Sequence, residues 1–268
     1  MPVIQRLAAG GARGFGLGVG GVGYSVTIAE SATGSDSVNW LTPFEGVIAE
    51  SATGSDSVSA SGDPAIGSFV YGGYYAGMID YSGTGAGPFY YLIVAPKSTE
   101  TLDEYKLTDT STTGALSTTD GEANTNYMIG ISSTTYPAAG YCAALTTNGY
   151  TDWYLPALYE LEICYYNLKP TTTSNNTAAN TINPYAVPPR NSPYTTSDPA
   201  RTSVVLFQLG GSEAFEGLST SINYWTSTSN GSTDPGRAST KAFFNGALVS
   251  TTKSSSRRVR AIRKVLVT

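Results

Sequence analysis

Apolar and aromatic positions crowd two short runs, Phe69-Val70-Tyr71-Gly72-Gly73-Tyr74-Tyr75-Ala76-Gly77-Met78-Ile79 and Phe89-Tyr90-Tyr91-Leu92-Ile93-Val94-Ala95-Pro96. Between them lies the turn-rich Ser82-Gly83-Thr84-Gly85-Ala86-Gly87-Pro88. Aromatic and β-branched runs bounded by Gly and Pro predict strands, so a hairpin opens the main domain. The pattern then lengthens to helical spacing. Residues 137–145 predict a short helix stopped by Asn148-Gly149. A second helix, with Pro156 in its first turn, carries Leu158, Leu161, Tyr165 and Leu168 on one face and ends before Lys169-Pro170. Residues 170–202 are rich in Thr, Asn and Pro, have no period, and exceed an ordinary connector; long loops of this kind often carry binding. Strand patterns return at 224–228, 241–247 and 258–263. Strands, two short helices, a long loop and strands again predict an α+β class with antiparallel strands.

The first 62 residues read differently. Residues 1–23 hold eight glycines and little apolar periodicity, which predicts a glycine-rich arm without a core of its own. Arg6, Arg13 and Phe15 are its candidate contacts for attachment to a larger assembly. Residues 24–62 contain an internal repeat, with IAESATGSDSV at 28–38 and again at 48–58. Each copy centres on a Thr-Gly-Ser-Asp turn at Gly34 or Gly54, predicting two β-hairpins or repeated strand-turn units. Two copies are too few for a solenoid and fit a small stalk, with trimerisation as a means of stabilising it. The main domain is placed at 63–268.

Composition narrows the setting. Hydrophobic residues make up 40% of the 268, enough for a core, while charged residues are 13%, about half the usual share of roughly a quarter. Ser, Thr, Gly, Asn and Tyr fill the difference, as in extracellular β-rich proteins. A net charge of −5 argues against nucleic acid as a partner. No apolar run approaches the roughly 18 residues of a membrane span, and Met1 to Gly11 has no signal-peptide pattern, so neither membrane insertion nor standard export is expected. An extracellular composition without an export signal is reconciled if the protein leaves its host on a virus released by lysis. Cys142 and Cys164 are too few for a disulfide scaffold and are either buried free thiols or one bridge formed after release.

Candidate chemistry is sparse. The chain has no histidine, which removes the usual general base, the Ser-His-Asp arrangement and histidine metal sites. A glycosidase needs only paired carboxylates, and Asp103, Glu104, Asp120, Glu122, Asp152, Glu160, Glu162, Glu213 and Glu216 are available, but no pairing is visible. Gly16-Leu17-Gly18-Val19-Gly20-Gly21 fits a dinucleotide-binding pattern formally, yet no strand precedes it and no amphipathic helix follows. Asp36 and Asp56 recur in the repeat but belong to no calcium-loop pattern. No enzyme, cofactor or metal is expected.

One group of motifs carries a resemblance. Tyr141-Cys142-Ala143-Ala144-Leu145, Gly149-Tyr150-Thr151-Asp152-Trp153-Tyr154-Leu155-Pro156 and Glu160-Leu161 are followed by Tyr224-Trp225-Thr226-Ser227-Thr228, Phe244-Asn245-Gly246 and Arg258-Val259-Arg260-Ala261-Ile262-Arg263. In this order they resemble the C-terminal domain family of the Lcl collagen-like adhesin, found in bacterial surface proteins and phage fibres. The runs at 72–77 and 92–97 resemble the opening of its phage versions. The resemblance covers roughly residues 64 to 266. Tyr154 stands where the family's commonest pattern has Arg. The resemblance implies a C-type-lectin-like fold, binding to a host-surface glycan or protein, and a homotrimer.

Trp153, Leu155, Pro156 and Trp225 are expected in the core, with Glu160 either salt-bridged to Arg258 or Arg260 or in contact with ligand. Tyr185, Arg190, Tyr194, Arg201, Asn230, Asp234, Arg237 and Asn245, in the long loop and last hairpins, are expected to be exposed and to bind ligand by stacking and hydrogen bonds. The expected role is a virion fibre or receptor-binding protein of a bacteriophage, joined to other tail, baseplate or capsid proteins and exposed on the particle. A capsid decoration or tail-scaffold protein of the same fold is the alternative, and a bacterial surface adhesin a third.

Overall fold

The computed structural model describes residues 63–268 except 178–181 and 232; of the first 62 residues it describes only the backbone of four strands. These are β1 (Gln5–Ala9), β2 (Ala12–Gly16), β3 (Ser37–Asn39) and β4 (Ser57–Ser59). Two compact units result, residues 1–63 and 64–268. In the first, β1 and β2 pair antiparallel across Gly10-Gly11, where composition alone predicts no element. The repeat copies pair with each other in parallel at equivalent positions, Ser37 with Ser57 and Val38 with Val58. A hairpin pairs its strands antiparallel, so this pairing belongs to the repeated strand-turn alternative. The turns at Gly34 and Gly54, Asp36 and Asp56, and the side chains of Arg6, Arg13 and Phe15 lie outside the described residues.

The second unit is mixed α+β. Its strands are β5 (Phe69–Val70), β6 (Gly73–Asp80), β7 (Phe89–Val94), β8 (Thr101–Glu104), β9 (Ala186–Val187), β10 (Tyr224–Ser229), β11 (Arg237–Lys241), β12 (Leu248–Thr252), β13 (Ser256–Val259) and β14 (Ile262–Leu266). One sheet runs β12-β11-β10-β13-β8, the other β14-β7-β6-β5 with β9 also on β6. All pairs in these two sheets are antiparallel except β10 with β13. The predicted aromatic hairpin is β6–β7, and its register shifts between Tyr75 and Gly77. Gly77 has φ of 129°, and a Cβ there would meet the Asn167 and Ile163 side chains at 2.5 and 2.8 Å. Glycine therefore lets the helix Leu158–Leu168 lie against the sheet at this point.

Three α-helices, not two, occur among the described residues: α1 (Gly121–Ser132), α2 (Pro137–Ala144) and α3 (Leu158–Leu168). The additional helix α1 buries Gly121, Asn124, Thr125 and Met128, a mostly polar face that gives no apolar period. Asn124 reaches Ser117 and Ser227, and Thr125 reaches Leu155, so hydrogen bonds replace apolar contact along that face. Asp120 caps it by accepting from the Ala123 amide at 3.0 Å. The helix α2 ends at Ala144, before Asn148-Gly149, which instead turns the chain between Thr147 and Tyr150. Pro156 lies two residues ahead of α3; of its predicted face, Leu161, Tyr165 and Leu168 are buried and Leu158, in the first turn, is half-buried.

Two cores form. Leu161, Ile163, Cys164, Tyr165 and Leu168 of α3 pack with Ile79, Leu92 and Val94 of the β6–β7 sheet and with Phe207, Phe215 and Phe243. Burying each large aliphatic side chain contributes about 2 kcal/mol. Trp153, Leu155, Trp225, Tyr105 and Cys142 centre the second core with Ile93 and Val259. The cysteines are free, one in each core, and burial pushes both thiols up. Loops are tied down by buried lysines. Lys253 Nζ donates to the Thr110 and Pro235 carbonyls at 3.1 and 2.7 Å and to Thr112 Oγ1 at 3.2 Å. Lys169 Nζ donates to the Thr173 and Pro199 carbonyls at 2.7 and 3.1 Å.

Candidate functional site

Part of the long loop turns inward. Glu162 of α3 is buried, accepts from Asn183 Nδ2 at 2.7 Å and from the Tyr194 hydroxyl, and forms an ion pair with Arg190 Nη2. The Arg190 guanidinium lies 4.4 Å from the Tyr166 ring centre and 5.3 Å from that of Tyr194. Lys241 Nζ lies 5.1 and 5.3 Å from the Tyr165 and Tyr194 rings, and burial pushes its amine down to about 8. Tyr194 is only 3% exposed. The expectation that Arg190 and Tyr194 project toward ligand is therefore corrected, because a carboxylate facing the loop draws both into the interior. Tyr185 is half-buried, packed on Tyr159 and above Gly83. Arg201 is exposed.

Three other candidates converge on the solvent side of the β10–β11 turn. Asn230 Nδ2 donates to Ser250 Oγ at 2.7 Å, and Ser250 Oγ donates to Asp234 Oδ2 at 3.2 Å. Arg237 Nη1 donates to the Ser250 carbonyl at 2.8 Å, while its Nε lies 3.6 Å from Asp234. Nearly half of the Arg237 and Asp234 side chains is exposed. An amide, a carboxylate, a guanidinium and a hydroxyl thus share one outward face beside the edge strand β12. Its chemistry is reversible hydrogen bonding to hydroxyls or amides of another surface. Asn245 lies elsewhere, in the turn after β11, where its side chain accepts from the Ala247 amide at 3.1 Å.

Trp153, Leu155, Pro156 and Trp225 are buried, and the tryptophan N–H groups donate to the Tyr150 and Asp103 carbonyls at 3.1 and 3.0 Å. Glu160 is also fully buried but pairs with neither arginine. It accepts from Tyr81 and Tyr154 hydroxyls at 2.6 and 2.8 Å and from Ala157 and Gly121 amides at 2.7 and 3.1 Å. One carboxylate thereby caps both α3 and α1, its charge met by neutral donors, which removes the need for a cation. Burial pushes its carboxyl up to about 7 against the pull of those hydrogen bonds. Arg258 instead binds Glu100 at 2.6 Å, and Arg260 binds Glu213 at 3.1 Å and faces the Phe215 ring.

Two surface features carried no signal recognised in the sequence. Val205, Leu206, Leu209 and Leu218 are exposed. Leu209 and Leu218 line a cleft of about 250 Å³ with Phe215, Lys97 and Glu216. The second feature surrounds Tyr71, whose carbonyl accepts from Arg263 Nη1 at 3.0 Å. Arg263 also holds Asp152 through Nε and Nη2, both at 2.7 Å, and keeps that carboxyl below the usual range although burial opposes it. Among the described residues no three carboxylate or thiol side chains gather as metal ligands. No family model matches the chain, and no curated protein matches it either.

Proposed function

We propose that this chain is a non-enzymatic adhesion protein of a bacteriophage particle. Its second unit is a C-type-lectin-like module that binds a glycan or protein on the host surface, in a homotrimer anchored to other virion proteins by the first unit. The observation that carries this reading is the outward face of Asn230, Asp234, Arg237 and Ser250, where side chains from one turn, the start of β11 and the edge strand β12 are held together and partly exposed. Such a face offers both donors and acceptors on a fixed scaffold. The motif resemblance and the weakly charged, hydroxyl-rich composition support the same reading.

The test is binding of the purified chain to host cells and competition with phage adsorption. Wild type should bind and compete, and the triple variant Asn230→Ala, Asp234→Ala, Arg237→Ala should do neither. Failure of wild type to bind or compete overturns the proposal. The exposed leucines around Leu209 and Leu218 favour a second reading, a capsid-decoration or tail-scaffold protein, because an apolar cleft with a charged rim suits permanent burial against a neighbour. A whole-virion reconstruction separates the two: an outward second unit with a free face fits adhesion, and burial on all sides fits scaffolding.

A further inference from the structure

Among the described residues only two that are not glycine have positive φ, Tyr71 at 51° and Asn148 at 50°. Asn148 Nδ2 donates to the Gly72 carbonyl at 2.9 Å, which brings the two together. A left-handed backbone is unfavourable for a bulky L residue and nearly free for glycine. Tyr71 retains that cost although glycines follow it at 72 and 73. Its ring contributes little to the core, since Tyr71 is 39% exposed. The ring lies 6.3 Å from that of Tyr91, with planes 25° apart. Beside it the Arg263 guanidinium covers the Tyr150 ring at 3.9 Å, and Asn148 and Asp152 stand exposed.

The geometry points to this platform as a binding site for a neutral hexopyranose, stacked by its C–H face on Tyr71 with its hydroxyls meeting Asn148 and Asp152. A pyranose presents an apolar face edged by hydroxyls, which matches an exposed aromatic ring beside an amide and a carboxylate. The charge pattern selects a neutral sugar. Arg263 is buried and directs Nε and Nη2 to Asp152 and Nη1 to the Tyr71 carbonyl, so its charge is already paired and shielded from solvent, and the exposed Asp152 would repel a sugar carboxylate. The site is separate from the Asn230–Arg237 face, and a failure of either leaves the other standing.

The experiment uses the full chain and the substitution Tyr71→Gly, which removes the ring where glycine accepts the backbone. Ligand-observed NMR and calorimetry are run against methyl glucosides, galactosides and mannosides, with glucuronate and sialyllactose as acidic counterparts. At least one neutral hexoside should bind and the acidic sugars should not. Tyr71→Gly should weaken binding at least tenfold at an unchanged melting temperature, while Tyr71→Phe keeps it. Absence of any neutral-hexoside binding, equal binding of glucuronate, or unaltered binding by Tyr71→Gly overturns the inference. A marked fall in the melting temperature of Tyr71→Gly overturns it too, because the ring would then be structural.

Discussion

Two glutamates two residues apart on α3 solve the same problem in different ways. Glu160 is surrounded by neutral donors, two phenols and two backbone amides, and links the starts of two helices. Glu162 is met by a guanidinium, an amide and a phenol delivered by the long loop, and links that loop to the helix. The first arrangement fixes the scaffold and makes it sensitive to proton concentration. The second fixes a segment that would otherwise be a free connector.

Replacing Glu160 with Ala breaks this comparison most severely, since four donors, three of them in buried hydrogen bonds, lose one acceptor. The expected loss is about 4 kcal/mol, read as a lower urea midpoint. Glu162→Ala should cost less, about 2 kcal/mol, because Arg190 can swing to solvent with its loop. Limited proteolysis should then cut within 183–198 in the variant and spare wild type.

Acid-base behaviour sharpens the contrast. The folded chain holds the Glu160 proton up to about pH 7, whereas the unfolded chain releases it near the ordinary glutamate value of 4.5. Its contribution to stability is therefore fully present below 4.5, falls as pH rises to about 7 and is flat above. Asp80 and Asp152 have the opposite sign, but their lowered values confine the effect to more acidic solution. Asp103 is raised by burial and acts in the same direction as Glu160. Melting temperature should thus decline between pH 5 and 7 in wild type and decline less steeply in Glu160→Gln. The smallest expected change in stability is Arg237→Ala, within about 0.5 kcal/mol, with weakened host-cell binding as its only large readout.

Elements with apolar periodicity were legible in the sequence. The continuous aromatic and apolar runs through Tyr74 to Ile79 and Phe89 to Val94, bounded by Gly and Pro, point to β6 and β7, and the spacing of Leu161, Tyr165 and Leu168 to the buried face of α3. The helix α1 escaped because Asn124 and Thr125 fill its inner face and bond to residues far along the chain. The candidate site was legible only in part, for a related reason. Asn230, Asp234 and Arg237 flank one turn, so proximity in sequence brings them together, whereas the inward course of Arg190 and Tyr194 depends on Glu162, some thirty residues earlier. Tyr71 and Asn148 meet only through the fold, and a left-handed tyrosine leaves no trace in composition.

The parallel match of β3 with β4 bears on how such a chain can change over generations. Because equivalent positions face one another, with Ser37 on Ser57 and Val38 on Val58, a further copy arising by tandem duplication would already carry the strand that fits the edge of the last one. Length between the start of the chain and its second unit can then vary in steps of twenty residues by unequal recombination, without any new side-chain invention.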